Sequence, residues 1–296
     1  MKSSAVFASM QRIAGLVVLL ACVRVAKAQE TPASPPPPPA IPTTSKEIEV
    51  PTRSTVDMLA EIKKSGKLRV GVSEIIPWAM HDKDGTLVGF EIDVAKKLAR
   101  DMGVQVEFHQ DEFRNLIPDL EANRFDIIVA GFSIEARRAL VVNFSQPYNL
   151  TDVTVATSKK MGGELKTMED FNKKGVTIAV IEGTTSEDLA ALAFPKASIQ
   201  TYTEDSALFS DLVAGKLAAA VADSPRLDIL AKLYPDAVTV PALPPLGTFP
   251  AAFAVRRGDM DFVNYLNSWI AARNADQWIE TRRKYWFKST DWASSL

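Results

Sequence analysis

From Ser54 onward the apolar positions switch repeatedly between two periods. Leu68 to Val72 reads as a short strand, and Val94, Leu98 and Met102 recur at helical spacing until Gly103 ends the helix. Val104, Val106 and Phe108 then alternate as a half-buried strand, and Phe113, Leu116, Ile117 and Leu120 mark the next helix. Phe125 to Ala130 is an apolar run broken only by Asp126, as expected of a strand covered on both faces. A second series follows Tyr148. Val176–Ile181 is a strand, Gly183-Thr184-Thr185 turns it into a helix reaching about Leu192, and Ile199–Thr203 is extended. Ala207–Ala214 is helical, Leu217–Ala222 is a buried strand, Val238–Pro241 and Phe253–Val255 are extended, and Phe262, Leu266, Trp269 and Ile270 define an amphipathic C-terminal helix. Two βα series without a long internal repeat predict an α/β fold of two lobes, each a mixed, mostly parallel sheet flanked by helices.

Residues 1–28 stand outside this pattern. Lys2 and Arg12 form a basic start, Ile13–Val23 a short apolar run, and Ala26-Lys27-Ala28 an A-x-A cleavage site, which reads as a signal peptide cut before Gln29. The apolar run is too short to span a bilayer. Leu19-Leu20-Ala21-Cys22 also fits lipoprotein processing, so Cys22 is either a lipid anchor or part of the discarded leader. In the second case the mature chain has no cysteine and no disulfide. Residues 29–53 carry the proline run Pro35–Pro39 and further prolines, and are expected to be an extended linker. The expected location is the periplasm.

A length of 296 residues has room for two lobes with cores of their own. The formal net charge of -2 lacks the basic excess that phosphate backbones require, so no nucleic-acid partner is expected. His81 and His109 have no metal-ligand spacing, and no nucleophile elbow, Walker loop or dinucleotide fingerprint occurs. Binding without metal or cofactor, rather than catalysis, is expected of a single subunit. With no enzymatic segment before Ser54 or after Leu296, a stand-alone body is expected.

Ser133 and Arg138 follow directly on the buried run at Phe125–Ala130, which presents a hydroxyl and a guanidinium at a strand's carboxyl end. Open α/β sheets bind ligands at that edge, and a planar fork of donors suits a carboxylate. An isolated Asp223 ends the second buried run at Leu217–Ala222.

The chain resembles the extracellular solute-binding proteins of family 3, the amino-acid receptors of ABC importers, which have the type II periplasmic binding protein fold. The likeness is densest in GxLxVGV at Gly66–Val72, GFEIDV at Gly89–Val94, LIPDL at Leu116–Leu120 and FSQPY at Phe144–Tyr148, and it spans Val56 to about Phe287. It implies that 54–150 and 253–296 form lobe 1 and 151–252 lobe 2. The crossings would fall near Thr151–Val155 and Gly247–Ala252, with a hinge that closes the lobes on a small-molecule ligand for delivery to a membrane permease. It further implies that Arg138, with the hydroxyl and amide of Thr185, takes a ligand carboxylate. Asp223, Ser133 and carbonyls near Ala130 and Gly131 would take an ammonium, so a polar amino acid or related zwitterion would bridge the lobes.

Plainer roles compete for some of these residues. Asp223 and Thr185 would also serve as ordinary helix-start residues. Phe113 matches an aromatic that packs on the ligand but also fits its own helix's core stripe. Trp78 is either an aromatic at the cleft mouth or a core residue, and Glu74 matches an acidic selector of basic or amide side chains. Glu135 departs from the family, which usually has Thr there. A negative group beside a carboxylate site is unfavourable unless it turns to pair Arg137. Cyclohexadienyl dehydratases share the implied fold and place a catalytic acid three residues beyond the lobe 2 aspartate, where this chain has Arg226, a poor proton donor. A receptor that signals to another protein is a further alternative.

Overall fold

A computed structural model describes residues 57–295. The leader, Cys22 and the proline-rich stretch lie outside the described residues, as do Ser54–Val56. Two sheets organise the rest. The first runs in the order Gln105–Gln110, Lys67–Val72, Ile127–Ile128, Ala254–Arg256, Val142–Phe144. Its first three strands are parallel, and Ala254–Arg256 joins antiparallel to both neighbours. The second runs Val238–Thr239, Asn149–Ser158, Ala219–Asp223, Thr177–Ile181, Ser198–Tyr202, with Gly247–Ala251 also pairing to Asn149–Ser158. Its last three strands are parallel and those around Asn149–Ser158 antiparallel. This is an α/β fold of two lobes with mixed sheets.

The first lobe's principal helix, Phe90–Met102, shows how pattern becomes packing. Phe90, Ile92, Val94, Leu98 and Met102 are buried, and Gly103 ends the helix in the left-handed region at φ 69°. Each such large apolar side chain removed from water contributes roughly 1.5–3 kcal/mol. The predicted helix from Phe113 is instead a 3₁₀ turn, Phe113–Asn115, followed by Leu116–Glu121. Asp126, the interruption in the apolar run, is 3% exposed and is paired with Arg69 and more distantly with Arg256. The pairing allows a charge to occupy a buried strand edge.

The chain leaves the first sheet through Asn149–Ser158 and returns through Gly247–Ala251, and these two segments pair side by side from Asn149↔Ala251 to Val153↔Gly247. The ribbon is tied into the first lobe by a bridge between Ser133 and Ala251 and by the Ile134 amide donating to the Pro250 carbonyl. A two-stranded connection of this kind bends while keeping its hydrogen bonds, which suits a hinge. The C-terminal aromatics complete the first lobe. Phe287 packs on Trp78 and Phe90 at centroid distances of 5.0 and 4.8 Å, and the Trp286 indole donates to Asp93. Among the described residues no helix is long and apolar enough to cross a membrane.

Candidate functional site

The carboxyl ends of the two sheets face each other, and the residues there were set by local backbone chemistry. Gly131 has φ +60°, and a Cβ at this position would lie 2.6 Å from the Trp78 indole nitrogen, so only glycine lets the turn pass under the ring. The Gly131 amide donates to the carboxyl of Glu91, which also accepts from the Tyr148 hydroxyl at 2.7 Å. Burial raises the Glu91 carboxyl to a pKa of about 8 despite these two hydrogen bonds. Across the cleft Gly183 has φ +77°, and a Cβ there would meet Arg114 at 2.9 Å. Its amide is held by Glu187, and the Thr184 hydroxyl donates to the Ile181 carbonyl, so the start of helix Thr185–Ala193 is fixed.

Six of the predicted site residues meet around one cavity. Trp78, Phe113, Gly131, Ser133, Thr185 and Asp223 line a space of about 30 Å³, closed on one side by Arg226. That volume takes one or two water-sized groups. Trp78 is 3% and Phe113 7% exposed, so both belong to the core, and both also line the cavity. Phe113 packs tilted against Phe132, with ring centroids 5.3 Å apart. Asp223 stands at the end of Ala219–Asp223 and at the N-cap position of helix Ser224–Leu233, but its side chain makes no capping bond. Burial raises its carboxyl to a pKa of about 7, against the pull of the Arg138 charge.

Two predicted residues are placed elsewhere. Glu74 is half exposed, pairs with His81 and accepts from Gln110, and lines a separate acidic cavity of about 490 Å³ with Asp111, Glu112 and Glu204. It therefore does not share a wall with Asp223. Arg138 is 5% exposed and lines an outer cavity of about 220 Å³ with Phe113, Phe132 and Gly183 rather than the inner one. Its guanidinium lies 4.3 Å from the Phe132 ring centre and 5.5 Å from that of Phe113, and it donates to the carbonyls of Ser133 and of Gly183 on the opposite lobe. Burial lowers it to a pKa of about 10, which leaves it cationic at neutral pH.

Glu135 does not turn wholly away to Arg137. One carboxylate oxygen, Oε1, lies 3.0 Å from Arg138 and accepts from the Thr185 hydroxyl at 2.6 Å, while Oε2 is 3.5 Å from Arg137. Arg137 itself reaches Asp188 of the second lobe at 3.0 Å, and Arg114 reaches Glu182 at 2.7 Å. Further along the cleft the Ile76 amide donates to Asp205, which pairs with Arg226; both side chains are 4% exposed, and the Arg226 guanidinium lies over Phe209 at 4.5 Å. Sequence reasoning missed Glu91, Asp205 and Gly183. The first two are acidic residues in the first turn of a helix, each near another acidic residue, where a solvated helix start is the ordinary role, and the GFEIDV motif is the one available signal for Glu91. Behind Arg226 an apolar cavity of about 460 Å³ opens between helices Asp205–Val213 and Ser224–Leu233.

The model of the bacterial extracellular solute-binding proteins, family 3, matches residues 68–289. Among curated proteins the chain is 27% identical over 231 residues to a cyclohexadienyl dehydratase of Pseudomonas aeruginosa, covering 78% of this chain and 86% of that protein. It is 30% identical over 220 residues to an L-arginine-binding protein of Pseudomonas aeruginosa, covering 71% and 83%. Among solved structures it is similar to the ancestral amino acid-binding protein AncCDT-1, described as a precursor of cyclohexadienyl dehydratase, at 37% identity and a TM-score of 0.73, covering 78% of this chain and 99% of that one. The two-lobed fold is that of the type II periplasmic binding proteins.

Proposed function

The chain belongs to the bacterial extracellular solute-binding proteins of family 3, and from that premise we propose that it is a periplasmic receptor that captures a small polar solute of the amino-acid class between its lobes and delivers it to an ABC importer. The observation that carries this reading is the meeting of Trp78, Phe113, Gly131 and Ser133 from one lobe with Thr185 and Asp223 from the other around one cavity, at the end of a two-stranded ribbon that would act as the hinge. A solute touching both walls is bound more tightly by the closed arrangement than by an open one, so binding and closure are one event. Asp223, partly buried with no side-chain hydrogen bond to its own helix, supplies an acceptor for a cationic nitrogen, and Trp78 and Phe113 add apolar walls.

A dehydratase on the same fold is the second reading, supported by the similarity to the Pseudomonas aeruginosa enzyme. Against it stands Arg226, whose guanidinium closes the cavity and is engaged by Asp205 and Phe209. A cation held by a carboxylate is a poor general acid.

A thermal-shift screen of the full chain against amino acids, biogenic amines and small carboxylates tests the receptor reading. Saturation at about a hundred times Kd adds roughly 2.7 kcal/mol, a rise in Tm of about 5 °C or more. A screen in which nothing raises Tm, together with turnover of a cyclohexadienyl substrate, would favour the enzyme.

A further inference from the structure

We infer that Glu135 fills the berth a ligand carboxylate would otherwise take, so that the cleft selects a small organic cation without a free α-carboxylate: an amine, amidine or guanidine. The inference rests on the receptor reading and moves its ligand from an amino acid to the corresponding amine.

Arg138 and Thr185 are the two donors, one from each lobe, that a bridging carboxylate would need, and both already engage one oxygen of Glu135, at 3.0 and 2.6 Å. Glu135 is held there by its own backbone. It occupies the N-cap position of the short helix Ala136–Ala139, extended at φ -130° and ψ 142°, and stands three residues before Arg138. Its side chain is 13% exposed, and its second oxygen faces Arg137, which is anchored on Asp188. The remaining bonds of Arg138 go to the carbonyls of Ser133 and Gly183, so its guanidinium is engaged from three sides and lines the outer cavity instead of the inner one.

The charges around the inner cavity then balance in one way. Arg138 is paired by Glu135 and Arg226 by Asp205, which leaves Asp223, once ionised, as the carboxylate that lines the space. A zwitterion placed there would set its carboxylate near Asp223 and find Arg138 and Thr185 already taken by Glu135, whereas a cation meets the Asp223 carboxylate and the Ser133 hydroxyl. A threonine-sized neutral group in place of Glu135 would leave Arg138 and Thr185 free to take a carboxylate from the ligand.

Calorimetric titration of the full chain with two matched pairs, L-arginine with agmatine and L-lysine with cadaverine, tests this directly. The expected result is that each amine binds at least about tenfold tighter than its amino acid, and that Glu135→Gln reverses or erases that ratio. The wild-type comparison stands alone if the variant folds poorly. Amino acids that bind as tightly as their amines, or an amine preference that Glu135→Gln leaves unmoved, would overturn the inference and leave the receptor reading intact, as would a hit of another class in the broad screen with none of the four binding. Failure of the four probes and of the whole screen removes both.

Discussion

Two buried arginines approach the cleft from opposite lobes, and they are built alike: Arg138 is 5% exposed and Arg226 4%, each faces a phenylalanine ring, and each is paired with a carboxylate. Their partners differ. Asp205 sits in the first turn of its helix, as buried as the arginine it holds, and also takes the Ile76 amide from the other lobe. Glu135 lies at the edge of a four-residue helix, shares its second oxygen with exposed Arg137, and accepts from Thr185 across the cleft. The first pair is a wall of the site. The second is a clasp whose members have other partners within reach, and clasps of that kind are where ligand recognition is set.

The sharpest way to break the comparison is to remove one member of each pair. Arg226→Leu leaves Asp205 charged and buried, and is expected to cost about 3–5 kcal/mol in denaturant unfolding, while Arg226→Leu with Asp205→Leu together recovers most of it. Arg138→Leu is expected to cost less, about 1–3 kcal/mol, because Glu135 retains Arg137. Equal losses at the two sites would erase the distinction between wall and clasp.

pH separates the two sides further. Glu91, which holds the Gly131 turn beneath the first lobe's wall, has a folded pKa of about 8 against an ordinary 4.5. Between those values the unfolded chain has released a proton that the folded chain keeps, so stability falls as pH rises from about 4.5 to about 8 and levels off above. Glu91→Gln should flatten that slope in Tm measured across pH 5 to about 8. On the opposite wall Asp223 ionises near pH 7, so affinity for a cation should rise as pH climbs through that value. Titrations at two pH values check this, and Asp223→Asn should abolish the dependence. The smallest effect belongs to the exposed pair Arg114–Glu182, where Arg114→Gln should leave the unfolding midpoint nearly unchanged and any change should shrink in salt.

Much of this architecture was readable from periodicity. The runs at Leu68–Val72, Val176–Ile181 and Leu217–Ala222 fall on or within a residue or two of observed strands, because their side chains are buried on both faces. The spacing of Phe113 predicts a helix, but a 3₁₀ turn places its ring against Phe132 and Arg138. Tertiary packing overrode the local period there. Gly131, Ser133, Thr185 and Asp223 are legible as residue types at or just beyond strand ends, and these four line one cavity together with Trp78 and Phe113. Arg138 and Glu74 are not, since their direction depends on partners distant in sequence: Gly183 for one, Gln110 for the other. Glu135 was visible as a departure, and its consequence emerged only when Thr185 was found at 2.6 Å.

The most direct test of the account is a calorimetric titration of the strongest solute from the thermal screen against the wild-type chain and Asp223→Asn at pH 8. One-to-one binding that weakens by about tenfold or more in the variant is the expected result. Unchanged affinity would contradict it, and would place the solute outside the cleft, as in the apolar cavity behind Arg226.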